Sequence, residues 1–176
     1  MACTLTTGRK LPNKTGFGGV KTIYFAEFGT LGTVTVDADG TISAFSGSPS
    51  FFQFDVKGNS SLESTVNSSR ENGTTFFAQT INLTLPFLDN ATQQELQLII
   101  VSRPHCVVED YLGNQFLCGL ENGCEVTGGT IVTGAAAGDL YGFTLTLEGQ
   151  EEKAPAFVDS GVITPNATQI APNSCS

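Results

Sequence analysis

Residues Thr33–Phe45 constrain the fold more than any other stretch. Thr33-Val34-Thr35-Val36 alternates polar and apolar, breaks at Asp37-Ala38-Asp39-Gly40, and resumes as Thr41-Ile42-Ser43-Ala44-Phe45. Period-two alternation fits an extended strand with one buried face, and the break places Gly where a turn needs positive φ. The same idiom recurs along the chain. A chain built this way is expected to be mainly β, a barrel or sandwich of antiparallel hairpins. Its edges must be covered by the chain itself or by a partner.

The strands can be placed in order. Val20–Phe28 reads as the first and Thr33–Phe45 as a hairpin. From Ser46 to Gly73 the composition turns to Ser, Asn and Gly around an apolar island, Phe51-Phe52-Gln53-Phe54. A long loop is expected over 46–73, with a small hairpin near Lys57-Gly58-Asn59 and a turn at Glu71-Asn72-Gly73. Thr74–Pro86 alternates cleanly, with Phe77, Ile81, Leu83 and Leu85 on one side and Pro86 as its stop. One α-helix is expected near residues 89–103. Asp89 or Asn90 caps it, with Gln93 as a capping-box partner of Asn90, and Leu96, Ile99 and Ile100 form its buried stripe before Pro104 ends it. Strands follow at Cys106–Asp110, Gln115–Cys118, Glu125–Val132 and Leu140–Glu148. Turns lie at Leu112-Gly113-Asn114 and Glu121-Asn122-Gly123. After Ala154–Val158, residues 159–176 read as a flexible tail.

The 176 residues fit a single domain, and 13 Phe supply much of its packing volume. Charged residues make up 14%, against about 25% in ordinary soluble domains. Thr and Gly take their place, which suits polar, uncharged sheet faces. The net charge of −9 is uneven: residues 1–21 carry Arg9, Lys10, Lys14 and Lys21 with no acid, whereas residues 105–176 carry nine acids against Lys153. A basic arm over residues 1–19 joined to an acidic body is suited to docking on another copy of that body. The acidic body argues against sequence-specific nucleic-acid binding. The opening Met1-Ala2-Cys3-Thr4-Leu5 has neither the basic stretch nor the apolar run of a signal peptide, and no window is apolar enough to span a membrane. Folding in a reducing cytoplasm, with most of the five Cys free, is the expectation. Seven Asn-x-Ser/Thr sequons (Asn13, Asn59, Asn67, Asn72, Asn82, Asn90 and Asn166) then reflect turn composition rather than glycan sites.

Residues with chemical potential do not combine. Gly16-Phe17-Gly18-Gly19-Val20-Lys21-Thr22 has Val20 where a phosphate loop needs Gly before Lys, and it precedes its strand. Asp37-Ala38-Asp39-Gly40 lacks the later ligands of a calcium loop. His105, Cys106, Cys118 and Cys124 lack the paired spacing of a zinc site, since adjacent His105 and Cys106 alternate to opposite faces. Cys118 and Cys124 flank a turn and could approach each other, with buried thiols the simpler outcome. Glu109-Asp110 and Glu151-Glu152 read as hydrated acidic surface. No catalytic residue, cofactor or metal ligand is expected.

The opening MACTLTTGRKLPNKTGFGGVKTIYFAEFG and the closing GDLYGFTLTLEGQEEKAPAFV flank an order of hairpin, long loop, strand, single helix and further strands. In this order and texture the chain resembles the tail-tube proteins of tailed bacteriophages, a fold shared with contractile injection and type VI secretion tubes. The resemblance implies six copies joining their sheets into a ring, rings stacking into a hollow tube, and DNA passing as non-specific cargo. Sheath, baseplate or terminator proteins would be further partners. Assembly would take place in the host bacterial cytoplasm, and the product would reside in the virion tail. Candidate subunit-interface residues are Arg9, Lys10, Lys14 and Lys21 of the arm and Phe51, Phe52, Phe54 and Lys57 of the expected loop. A head-decoration, neck or adhesin module and a secreted binding β-sandwich are the alternatives.

Overall fold

A computed structural model describes residues 4–56 and 58–171. It is mainly β, with eleven strands and one helix in the order β1 (Val20–Ala26), β2 (Val34–Val36), β3 (Ile42–Phe45), β4 (Phe52–Asp55), β5 (Ser61–Ser69), β6 (Thr74–Pro86), α1 (Asn90–Val101), β7 (His105–Asp110), β8 (Gln115–Cys118), β9 (Glu125–Val132), β10 (Gly142–Glu151) and β11 (Ala156–Val158). Seven strands form one sheet in the order β2-β3-β11-β8-β7-β1-β4, and four form a second in the order β5-β6-β10-β9. The chain therefore crosses between sheets four times, after β4, β6, β8 and β10.

Alternation explains where each sheet is buried. Ile23, Phe25, Cys106, Val108 and Cys118 of the large sheet meet Ile81, Leu83, Leu85, Phe143, Leu145 and Leu147 of the small one, and this inter-sheet layer is the main core. Residues of opposite parity, Tyr24, Ala26, Val107 and Leu117, lie on the far face of the large sheet. There they pack with Leu31, Ile42, Phe51, Val158 and Ile163 into a second core under loops. The central strands β1 and β7 of the large sheet are thus buried on both faces. The outer face of the small sheet has no such cover.

Several expectations hold at residue level. The Thr33–Phe45 hairpin closes through Gly40 N–H to Asp37 O, with Gly40 at φ 83°. The strand Thr74–Pro86 has the expected bounds, and the turn at Glu71-Asn72-Gly73 joins β5 to β6. The helix begins at Asn90, with Asp89 as its cap: its carboxylate accepts from Thr92 N at 2.9 Å and Thr92 Oγ1 at 3.1 Å. Gln93 makes no reciprocal bond; its N–H donates to Asp89 O as the first helical bond.

Other expectations are corrected. The stretch 46–73 is not a long loop: it contains β4, which pairs with β1, and β5, which pairs with β6 along its whole length. These strands sit in different sheets, so no hairpin forms near Gly58-Asn59; Lys57 lies outside the described residues. Ile100 is not part of the buried helix stripe. Leu96 and Ile99 face the core while Leu98, Ile100 and Val101 are exposed, because a helix on the rim of a sandwich buries only a narrow stripe. β1 ends at Ala26 rather than Phe28, and β10 runs Gly142–Glu151 rather than Leu140–Glu148. The pairing is not wholly antiparallel, since Val158 of β11 meets Ile42 of β3 in parallel. Over residues 159–171 the tail is fastened, with Ile163 buried and Asn166 N–H donating to Phe51 O at 2.7 Å.

The turn between β8 and β9 is closely packed at Gly123. Gly123 has φ 74°, and a Cβ there would lie 2.7 Å from Arg103 O. Gly123→Ala is expected to lower unfolding free energy by about 2 kcal/mol or more, combining positive-φ strain with a clash. Urea denaturation of the purified variant reads this directly.

Candidate functional site

Two places concentrate polar side chains, and they differ in kind. The first is buried, around the Gly119–Cys124 turn. His105 Nδ1 lies 2.6 Å from Gly119 O and Nε2 accepts from Gly29 N–H at 3.1 Å, which fixes the tautomer with the proton on Nδ1. Gln79, buried on β6, accepts from Gly119 N–H at 3.0 Å through Oε1. Glu151 Oε1 accepts from Glu121 and Asn122 N–H at 3.1 and 2.8 Å. Glu151 is only 4% exposed, so it is not part of the hydrated acidic surface expected for it. Sequence reasoning missed Gln79 and Glu151 as buried groups because their partners are backbone amides of a turn 29 to 40 residues away.

This buried set is a structural clamp. Every polar atom named in it is hydrogen-bonded and His105 is 2% exposed, stacked on Phe28 with Arg103 over that ring. Cys106, Cys118 and Cys124 are free thiols buried beside it, with Cys106 opposite Cys118 in the β7–β8 register. Burial pushes the Cys106 and Cys118 thiols well up, away from the reactive thiolate. Among the described residues no His, Cys, Asp or Glu cluster could hold a metal ion. A second group surrounds Glu109, which accepts from Tyr24 Oη at 3.0 Å and pairs with Lys21 at 3.5 Å. Burial, then the bond to Glu109, push Tyr24 up to about 12. Asp110, its neighbour, caps the next turn by accepting from Leu112 and Asn114 N–H.

The second place is exposed: the outer face of the four-stranded sheet. Register aligns its side chains in rows. Thr84, Thr144 and Thr130 form one row, with Thr130 and Thr144 hydroxyls bonded. Ser61, Asn82, Thr146 and Gly128 form the next, with Thr146 Oγ1 donating to Asn82 Oδ1. Glu63, Thr80, Glu148 and Glu125 form a third, crossing all four strands and carrying three carboxylates. Glu148 stands directly opposite Glu125, a repulsive pairing in an isolated sheet. Both edges of this sheet are open: β5, nine residues long, and β9, eight residues long. Neither carries a Lys or Pro that would discourage pairing with another strand. Val66 on β5 and Ile131 on β9, both on the core side of their strands, are exposed at these edges.

The anticipated interface residues are scattered. Arg9, Lys10 and Lys14 lie on an exposed arm without regular structure. Lys21 sits on β1 and binds Glu109. Phe51 is 2% exposed and packs on Phe45 in the second core, so it is committed within the chain rather than free for a neighbour. Phe54 is half-buried edge-to-face on Phe25, whereas Phe52 is exposed on edge strand β4. No family model, curated protein or solved structure matches the chain. No described helix is long and apolar enough to cross a membrane.

The clamp makes a pH prediction. Burial, the main cause, holds His105 below its ordinary value, so the unfolded chain binds a proton that the folded chain refuses. Stability should be full above the unfolded pKa of about 6.5 and fall as pH drops below it. Thermal melts between pH 7.5 and 5.5 should show this decline, and His105→Asn should flatten it while lowering stability throughout. As the sole histidine, His105 has no other side chain of its type to mask the effect.

Proposed function

We propose that this chain is a structural subunit that assembles with copies of itself into stacked hexameric rings, forming the hollow tail tube of a phage-like particle through which DNA passes. The observation that carries the proposal is the four-stranded sheet with two long edges, β5 and β9, that no other described strand covers. Pairing β5 of one copy with β9 of the next would satisfy both edges and continue the sheet around a ring. The exposed Val66 and Ile131 would be covered in the same step.

The polar outer face supports the tube reading over a closed pair of copies. In a ring its Thr and Asn rows would face the lumen, and the row of Glu63, Glu148 and Glu125 would become an acidic belt repeated in every subunit. A belt of this sign repels the phosphate backbone, so passing DNA would meet a non-adhesive wall. The resemblance in the opening and closing segments points the same way, and sheath, baseplate or terminator proteins would be its other partners in a virion tail. The role requires no cofactor.

Negative-stain electron microscopy of the purified full chain, at low and moderate salt, tests the reading. Hollow tubes or stacked rings with sixfold top views are expected. A closed trimer would instead indicate a decoration or adhesin module. Ile131→Lys and Val66→Lys, at exposed edge positions, should change monomer stability by less than about 0.5 kcal/mol. Each should abolish tubes, because a charge would enter the subunit seam. Tubes that persist in both variants would exclude this seam.

A further inference from the structure

The large sheet also has an open edge, at β4, and beside it lies a groove of about 390 Å³. Phe52 and Phe87 line it, and Ile170 of the fastened tail forms a wall; all three are exposed. Asp55 and Glu95 also line it, from β4 and α1, and among the described residues no cationic side chain does. The tail bonds to the segment at Phe51 and its Thr168–Ile170 line the groove, and among the described residues no strand pairs with the outer side of β4. The groove therefore offers an extended segment three things: a strand edge, apolar contacts and two carboxylates.

The complementary segment is in the same chain. Residues 4–19 carry Arg9, Lys10 and Lys14 with no acid, and all are exposed. Leu5 and Leu11 are 100% and 96% exposed, so the chain's own body does not cover them. The arm's aromatic contact with the body is Phe17 on Tyr111, with ring centroids 4.9 Å apart. From there, residues 4–16 can span roughly 40 Å when extended. Such a reach is ample for a neighbouring subunit.

We propose that the basic arm of one copy docks in the β4–α1 groove of a second copy, with Leu11 among Phe52, Phe87 and Ile170 and its cations facing Asp55 and Glu95. This rests on the proposed self-assembly and names a contact separate from the β5–β9 seam. The contact is heterologous, since arm and groove are different surfaces, so each docked copy still presents a free arm and a free groove. It is a strand-addition mode in which backbone bonds supply affinity and charge supplies orientation.

The test places the photo-crosslinker p-benzoylphenylalanine at Leu11 in the full chain and mixes isotope-labelled with unlabelled protein. Mass spectrometry should recover mixed-isotope peptides joining the arm to residues 51–55 or 85–95. Arg9→Glu, Lys10→Glu and Lys14→Glu together should lower that yield about tenfold at low salt, as several exposed ion pairs are lost. Glu95→Lys with Asp55→Lys in the same chain should restore it, and Glu95→Lys alone, on the exposed helix, should restore part. Crosslinks confined to single chains, crosslinks elsewhere, or a yield indifferent to charge reversal would each overturn the proposal. Intermolecular crosslinks to the groove without tubes in the microscope would keep the arm contact and defeat the tube. Tubes without those crosslinks would do the reverse.

Discussion

The structure depends on how the Gly119–Cys124 turn is held. This turn carries the chain from the large sheet to the small one, and its ends at Gly119, Gly123 and Cys124 are buried, so their amides and carbonyls must find partners inside the protein. They find them on both sheets: His105 of β7 on one, Gln79 of β6 and Glu151 of β10 on the other. The turn also closes on itself through Gly123 N–H to Gly119 O and reaches Pro104 through Cys124 N–H. Leaving one such group unpaired costs about 1–3 kcal/mol, a large fraction of a domain's net stability. Apolar packing alone can accommodate small shifts between two sheet faces, at a cost in packing. A turn bonded to both sheets cannot, and it fixes how they sit.

From that registration follows an asymmetry between the sheets. The centre of the seven-stranded sheet is covered twice, by the inter-sheet core on one side and by loops and tail on the other, while its outer strands stay partly exposed. The four-stranded sheet shares the core on one face and leaves the other open, which is why its central strands β6 and β10 alternate between Leu, Ile or Phe and Thr or Asn over 80–85 and 143–147. Thr keeps the β-branched preference for strands while remaining compatible with water, so such a face is stable without a covering layer. The Glu148–Glu125 pairing sets two like charges opposite each other on this open face, a cost to the isolated sheet.

Much of this was legible in the sequence where local rules and tertiary demands agree. Thr74–Pro86 announced itself because alternation, β-propensity and a terminal Pro all point to one element, and Asp89 was legible as a helix cap. The stretch 46–73 was not, because β5 reads SLESTVNSS. Ser and Asn have poor strand propensity, and only Leu62 and Val66 mark an inward face; the strand exists because β6 supplies nine partners for it. The residue types of the clamp were equally mute. A Gln, a Glu and a His acquire their roles from backbone groups of one turn, which no spacing rule encodes. Phe51 looked like part of an apolar island, yet the pleat places it in the second core, while Phe52, opposite Phe25 on the inter-sheet side, stays exposed because β4 is an edge strand.

Charge distribution ties the proposed contacts together. Copies of a body this acidic repel one another at long range, and the acidic belt would intensify that repulsion if the sheets joined into rings. Screening limits the effect to about 8 Å at physiological ionic strength, so what matters is the charge brought within one or two side-chain lengths of a seam. The arm delivers its cations into that zone, separated from the body's carboxylates by primary sequence rather than neutralised by them. A subunit with the same net charge spread evenly would carry the repulsion without the means to offset it locally. Segregation of charge between arm and body is thus the feature that lets one acidic chain serve as its own partner, in the proposed assembly, while keeping its outer sheet face acidic.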